Sequence, residues 1–255
     1  MTGIAMKQLG TLQWLEQTHG RLGLRDKLAL VAQGVKARAA TRKRMGASVK
    51  FRHREVDDIL PPDSAIAREA MAMCEAASAP FLFNHSLRAY FWARLLDDGS
   101  KPFDDEAVFT AIMLHDMGLT DAHRLQGSDE QCFTVVGARM AEELGAKHQW
   151  NDRRTALAAN AITLHLNVIV DPKHGREAEM VRAGSGGDVA GLGLDVLEQD
   201  QINAVCTKHP RLNFKTSIVP VLGLEEAQRP CCRIAFMNSR LGFTDLIANA
   251  PMFSE

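Results

Sequence analysis

Histidine and aspartate are the side chains here best placed to do chemistry, and their neighbours decide which of them matter. Of nine histidines, His115 stands beside Asp116 directly after the apolar run Ala111-Ile112-Met113-Leu114. A carboxylate at the end of a buried helix is costly unless paired, and a divalent cation satisfies an imidazole and a carboxylate together. Adjacent helical residues project about 100° apart, so both reach one ion only near a helix end. Gly118 supplies the residue expected just past such an end, tolerant of a left-handed conformation. The mixed nitrogen and oxygen donors suit Zn²⁺, Fe²⁺ or Mn²⁺. Another histidine and a second carboxylate must then arrive from other helices. His85, in Phe83-Asn84-His85-Ser86-Leu87, lies one helical turn before Ala89 and two before Trp92, so its ring points into an apolar interior. It reads as a ligand or as a hydrogen-bonded core histidine.

The remaining candidates are weaker. His174 and Glu177 fit a supporting layer behind a ligand or, equally, an exposed helix start. His19, His53, His123, His148 and His209 lie in polar or turn-like stretches and read as surface residues. Cys231-Cys232 has no base nearby. Neither a GxxxxGKS phosphate loop nor a GxSxG elbow occurs.

The elements that must position these residues are helical. Pro61-Pro62-Asp63-Ser64 announces a helix over 65–78 with Asp63 or Ser64 as its cap. Pro80 ends or kinks it. The stretch 81–97 is apolar on nearly every face and describes an enclosed central helix. Further helices are expected over 104–117, over 135–144 with a stop at Gly145, over 152–166, and over 176–183 and 187–196 as two pieces. Helix-compatible spacing also runs through 9–40, interrupted by Gly20, Gly23 and Gly34. The best strand candidate is 216–222. The fold class is all-α, a single helical bundle over 61–255 preceded by a basic, helical or flexible extension over 1–60.

Composition is that of a globular protein, with 46% hydrophobic, 24% charged and 6% aromatic residues in 255. A chain of this size needs neither disulfide nor metal to hold its core together. Any metal is therefore a functional feature. Five cysteines, the one close pair being vicinal, suit neither a disulfide framework nor a CxxC clamp, and with no secretory signal or spanning apolar run the expectation is a cytoplasmic protein without a membrane role. The net charge of −1 hides +7 over residues 1–60 and −8 over the rest. The basic run from Lys36 to Arg54 has a single aromatic neighbour, Phe51, so it reads as a solvated face or arm rather than a nucleic-acid surface. The expected partner is a small-molecule substrate. Homo-oligomers are common among all-α chains of this size, but no residue marks an interface.

With those residues in place, a resemblance emerges. His85, then His115-Asp116, then Asp188 in Gly184-Ser185-Gly186-Gly187-Asp188-Val189-Ala190-Gly191 resemble the H…HD…D signature of the HD-domain metal-dependent hydrolase superfamily. Within it the chain is most similar to the cyanamide-hydratase-like branch. The similar stretches are Pro62-Asp63-Ser64, Asn84-His85-Ser86, Leu114 to Gly118, Phe133 to Ala138, Thr163-Leu164-His165 and Pro210 to Lys215. The resemblance covers roughly residues 60–255 and implies that His85, His115, Asp116 and Asp188 ligate one metal ion. Without it, Asp188 passes for a helix cap after a glycine-rich turn. His165 matches a further histidine close to the metal, able to hold substrate or move a proton; otherwise it is a packed histidine at a helix end. Two residues on, where cyanamide hydratases carry an acidic residue, stands Asn167, a candidate substrate contact. Cys132 and Thr134 likewise replace charged residues around Phe133.

The expected activity is metal-dependent addition of water to a small polar substrate with an electrophilic carbon, as in cyanamide or nitrile hydration. One divalent ion, zinc before Fe²⁺ or Mn²⁺, would bring the pKa of water toward neutrality. Asp116 or Asp188 would take a proton from that water and His165 would give one to the substrate nitrogen. The alternatives are hydrolysis of a nucleotide or phosphomonoester, with Lys36 to Arg54 as a phosphate clamp, and a non-catalytic metal-containing ligand sensor.

Overall fold

The computed structural model describes residues 8–44, 54–125 and 132–253, the side chains of 40–44 excepted. Residues 45–53 of the basic run from Lys36 to Arg54, His53 among them, lie outside that set. Among the described residues the chain forms twelve α-helices and no strand. They are α1 (Leu12–Thr18), α2 (Leu24–Arg44), α3 (Ala65–Ala77), α4 (Pro80–Leu95), α5 (Asp105–Leu114), α6 (Thr134–Lys147), α7 (Asp152–Leu164), α8 (Arg176–Ala190), α9 (Gln199–Lys208), α10 (Phe214–Gln228), α11 (Arg233–Leu241) and α12 (Phe243–Ala248).

Local chemistry sets the helix starts. Ser64 caps α3 through the Ala67 amide at 3.3 Å, Asp104 caps α5 through the Ala107 amide at 3.0 Å, and Asn151 caps α7 through the Arg154 amide at 2.9 Å. Pro80 opens α4, where its missing N–H costs nothing. The centre is the long contact of α4 along α8, flanked by α5 and α7, with α6 on α7. Leu82, Tyr90, Phe91, Trp92 and Leu95 from α4 and Val108 to Leu114 from α5 fill it. The first described residues are built into this body: Leu12, Trp14 and Leu15 are buried, the Leu12 amide donates to Asn160 Oδ1 at 3.1 Å, and Asn167 donates to the Leu9 carbonyl at 2.8 Å. None of the described helices is long and apolar enough to cross a membrane.

Several boundaries differ from expectation, for packing reasons. Residues 176–190 form one helix, not two, and the run Gly184-Ser185-Gly186-Gly187 lies inside it. A Cβ on Gly184 would stand 2.1 Å from the Ala89 carbonyl oxygen, so the glycine is what lets α8 approach the α4 backbone. Asp188 accordingly sits within α8 and caps nothing. Helix α6 runs through Gly145 to Lys147. Residues 216–222 belong to α10, where Phe214, Ile218, Leu222 and Glu225 are buried at helical spacing; that period prevails over the β-branched composition. Gly118 lies in a 3-10 turn (Met117–Leu119) with no left-handed φ. A side chain is excluded there because its Cβ would meet the Phe133 carbonyl oxygen at 2.2 Å.

Candidate metal centre

Four helices bring their chemistry to one point. Helix α4 is apolar almost all round, yet His85, Arg88 and Trp92 at i, i+3 and i+7 place three N–H-bearing side chains on one stripe of it. Helix α5 ends at Leu114; His115 is its last helical-conformation residue and Asp116, at φ −107° and ψ 10°, turns out of the helix into the 3-10 turn. That break lets two adjacent side chains converge. Helix α7 ends the same way at His165.

His85 Nε2, His115 Nε2 and Asp116 Oδ2 form a triangle with edges of 3.1, 3.3 and 3.4 Å. All three residues are buried. The protons of the imidazoles are fixed from behind. His115 Nδ1 donates to the Ile112 carbonyl at 2.6 Å, His165 Nδ1 donates to the Ile162 carbonyl at 2.6 Å, and His85 Nδ1 donates to Asp188 Oδ2 at 2.7 Å, because those oxygens can only accept. With the rings neutral, the Nε2 atoms carry the lone pairs, and two of them face each other and a carboxylate oxygen with no donor between them. Such crowding suits a cation: a point about 1.9 Å from all three atoms exists, close to the ~2.0–2.1 Å of metal bonds to nitrogen and oxygen. The residues present thus fit a divalent ion, and the His85, His115 and Asp116 cluster can hold one.

Electrostatics agree. Burial opposes ionisation of Asp116, but His115 and His85 outweigh it and hold the carboxyl well below its ordinary range. Burial likewise disfavours a charged His85, and Asp116 and Asp188 overcome it, raising the imidazole above its usual value. A site that pulls positive charge onto an interior histidine is one prepared for a cation.

His165 stands next to this triangle, its Nε2 3.7 Å from Asp116 Oδ1 and its ring perpendicular to that of His115 at 4.8 Å. Burial, and then the neighbouring His115, push it down to about 3, so at neutral pH its Nε2 is an acceptor. Phe133 packs edge-on to His165 at 5.9 Å and Phe214 stacks on His85 at 4.9 Å, closing the centre with apolar rings.

The structure does not place Asp188 on the triangle. Its carboxylate lies behind His85, on the Nδ1 side. Asn167 is also turned elsewhere: it donates to Leu9 and accepts from Arg233 at 3.0 Å. Glu177 accepts from the Asp104 amide at 2.9 Å, at the opposite end of α5 from His115. His148 is paired with Glu69 at 2.8 Å, and the His209 ring lies 5.2 Å from Phe91.

Three residues that sequence reasoning passed over hold the surroundings. Arg88, fully buried, grips Asp188 and donates to the His209 and Pro210 carbonyls at 3.1 and 3.0 Å. Arg233, also buried, donates to the Thr163 carbonyl at 2.8 Å and to Thr134 at 3.3 Å, tying the end of α7 to the start of α6. Glu225 accepts from the Phe133 amide at 3.1 Å and from Arg229; burial against that cation still leaves it raised to about 7. The available signal was charge: a lone arginine or glutamate in an apolar helix demands a partner.

Residues 82–200 match the family model of the HD domain, the stretch that carries His85, His115, Asp116, His165 and Asp188. The match supports the HD-domain superfamily, an all-α fold whose members bind divalent metals, and metal-dependent hydrolase-type activity at that coarse level. No curated protein matches the chain.

Proposed function

We propose that this chain is a hydratase of the cyanamide-hydratase-like branch of HD-domain proteins, adding water to a small polar substrate with an electrophilic carbon, such as a nitrile or cyanamide. The observation that carries the reading is the juxtaposition of Asp116 Oδ1 and His165 Nε2, 3.7 Å apart, beside a three-donor cluster, while the nearby cationic side chains are committed to the protein. Arg88 and Arg233 are used as described, and Lys215 donates to the Ala250 and Phe253 carbonyls at 2.8 Å each. A phosphate ester wants cations free to receive it; a small neutral substrate does not.

His85, His115 and Asp116 would hold the ion, zinc by preference, with Fe²⁺ or Mn²⁺ served by the same donors. When bound, it supplies water acidified toward neutral pH and polarises the substrate. The chain does the rest. Asp116 keeps Oδ2 on the cluster and leaves Oδ1 toward His165. As the water oxygen adds to the carbon, the released proton goes to Oδ1 or to His165 Nε2, both acceptors at rest. It is then delivered to the substrate nitrogen as the C≡N π bond opens, giving an imidic acid that tautomerises to the amide. His165 thus accepts before it donates, because its Nδ1 proton is held by Ile162. The apolar faces of Phe133 and Phe214 limit competing water.

The test is turnover by zinc-, iron- and manganese-loaded protein of cyanamide and short nitriles, with amide product followed by NMR, beside p-nitrophenyl phosphate and a nucleotide panel. Amide formation lost in His165→Ala with metal retained supports the proposal. Phosphate release without amide formation refutes it in favour of phosphohydrolysis. A metal-loaded protein that turns over neither refutes it in favour of a ligand sensor.

A further inference from the structure

Helix α2 has two apolar faces, and the body uses one of them. At about 100° per residue, Asp26, Leu30, Gln33 and Ala37 share a side. Leu30 is fully buried there, Gln33 accepts from the Ile169 amide at 3.2 Å, and a Cβ on Gly34 would lie 3.9 Å from Leu241 of α11. The opposite side carries Leu24, Leu28, Val31 and Val35, within about 60° of one another by the same spacing. They are 75, 61, 42 and 62% exposed. A surface helix ordinarily turns its one apolar stripe to the core. A second stripe of aliphatic side chains facing water marks a binding surface.

Charge says what covers it. Lys27 and Arg38 border the stripe on one side and Arg25 and Lys36 on the other, all four exposed. Asp26, the one acidic residue of the helix, accepts from the Gly23 amide at 2.9 Å on the body side. Between Asp26 and Glu55 stand nine Lys/Arg and no acidic residue; Arg54 among them donates to the Arg94 carbonyl at 3.3 Å. A second α2 fits poorly, because Arg38 and Arg42 take the next places of the heptad-like spacing and the flanks offer cations with no acids to pair them. The helix also lacks the aromatic side chains that anchor protein interfaces. Nucleic acid would satisfy the charge and leave the aliphatic stripe in water. Anionic headgroups above an acyl layer satisfy both: the aliphatic side chains enter, and the Lys and Arg stems lie along apolar surface with their charged ends among the headgroups.

We propose that α2 docks on an anionic lipid bilayer, lying in the surface plane with Leu24, Leu28, Val31 and Val35 inserted and Arg25, Lys27, Lys36 and Arg38 on the headgroup anions. A helix that lies on a bilayer needs no spanning length. The expectation of a chain without a membrane role, which rests on the lack of a spanning run, gives way here. Because α2 is tied to the body beside α11, docking brings the whole chain to the lipid surface.

Sedimentation of the full chain with vesicles tests this, using phosphatidylcholine alone and equal parts phosphatidylcholine and phosphatidylserine, at low and physiological salt. Wild type should bind the anionic vesicles at least roughly tenfold more tightly than the neutral ones, less so as salt rises. Leu28→Gln with Val31→Gln should lower affinity for the anionic vesicles roughly 10- to 100-fold. Lys27→Gln with Arg38→Gln should lower it roughly 30-fold and leave binding to neutral vesicles unchanged. The four positions are exposed, so both variants should fold as wild type, which circular dichroism checks. Wild type that does not pellet with anionic vesicles overturns the proposal. If ultracentrifugation then shows a dimer that Leu28→Gln with Val31→Gln dissociates, the stripe belongs to a second copy; a monomer leaves it to an acidic protein partner. Vesicle binding that neither variant weakens also overturns the proposal, placing the lipid contact elsewhere on the chain.

Discussion

Replacing Gly184 by alanine asks whether the spacing of α4 and α8 is what the site depends on. The new Cβ would lie 2.1 Å from the Ala89 carbonyl oxygen and 3.0 Å from the Ala93 Cβ. Carbon–oxygen contacts settle at roughly 3.3 Å or more, so the helices must separate locally by about 1 Å. No rotamer can relieve the clash, since the atoms met are a backbone oxygen and a Cβ. Overpacking of this kind costs roughly 1–3 kcal/mol, and the better helix propensity of alanine returns about 1 kcal/mol. The net loss is up to about 2 kcal/mol, or up to roughly 4–8 °C in Tm for a chain of this size. The same separation would stretch the 2.7 Å His85 to Asp188 bond past hydrogen-bonding range. Thermal denaturation followed by circular dichroism, with and without zinc, and zinc affinity by chelator competition read both effects. Gly223→Ala is the control: it lies inside α10 with nothing within 4 Å of its Cβ position, and should gain roughly 0.5–1 kcal/mol. Gly184→Ala that melts at or above wild type and binds zinc equally would refute the reasoning.

Other perturbations have equally definite outcomes. Zinc at 100-fold its dissociation constant should stabilise wild type by about 2.7 kcal/mol and leave Asp116→Ala unchanged; equal Tm shifts in the two would remove Asp116 from the site. Arg88→Met removes the bidentate partner of the buried Asp188 carboxylate, leaving it only the longer contact to Arg211 at 3.4 Å as an arginine pair, and should cost about 3–5 kcal/mol in denaturant unfolding. A loss below about 1 kcal/mol would mean that the pair is not closed in solution. Asp104 is held below its ordinary value of 3.8 because Arg154 and the α5 amides outweigh its burial. A lowered carboxylate contributes stability above its unfolded value and loses it as pH falls through the folded one. Asp104→Asn, which keeps the cap, should therefore be less stable than wild type at pH 7 and approach it in the range below about pH 4. A gap that persists at pH 2 would contradict the assignment.

The helical fold and the cluster were legible in different ways. The cap at Asp63 or Ser64 marked the start of α3, Pro80 marked the break before α4, and the apolar run before His115 marked a buried helix end. The continuity of α8 was not legible, because four small residues in a row signal a break unless a partner backbone lies so close that an added Cβ would stand 2.1 Å from its carbonyl oxygen, which only the tertiary structure reveals. The same applies to Asp188. The resemblance alone placed it among the metal ligands, and its contacts with Arg88 and Trp92 were not foreseen because Arg88 escaped notice within an otherwise apolar helix. Asn167 was singled out for its distance from His165 along the chain, and its partners, Leu9 and Arg233, come from both ends of the molecule.

The two histidines that end α5 and α7 are anchored alike, each giving its Nδ1 proton to the carbonyl of an isoleucine three residues earlier. A backbone carbonyl stays when side chains change, so the protonation pattern of His115 and His165 is shielded from point substitution. His85 is different: its anchor is a side chain held by other side chains. Of the three imidazoles, one is therefore adjustable. A substitution of Asp188, or of the Arg88 and Trp92 that grip it, would therefore change the setting of His85 and leave the backbone anchors of the other two in place.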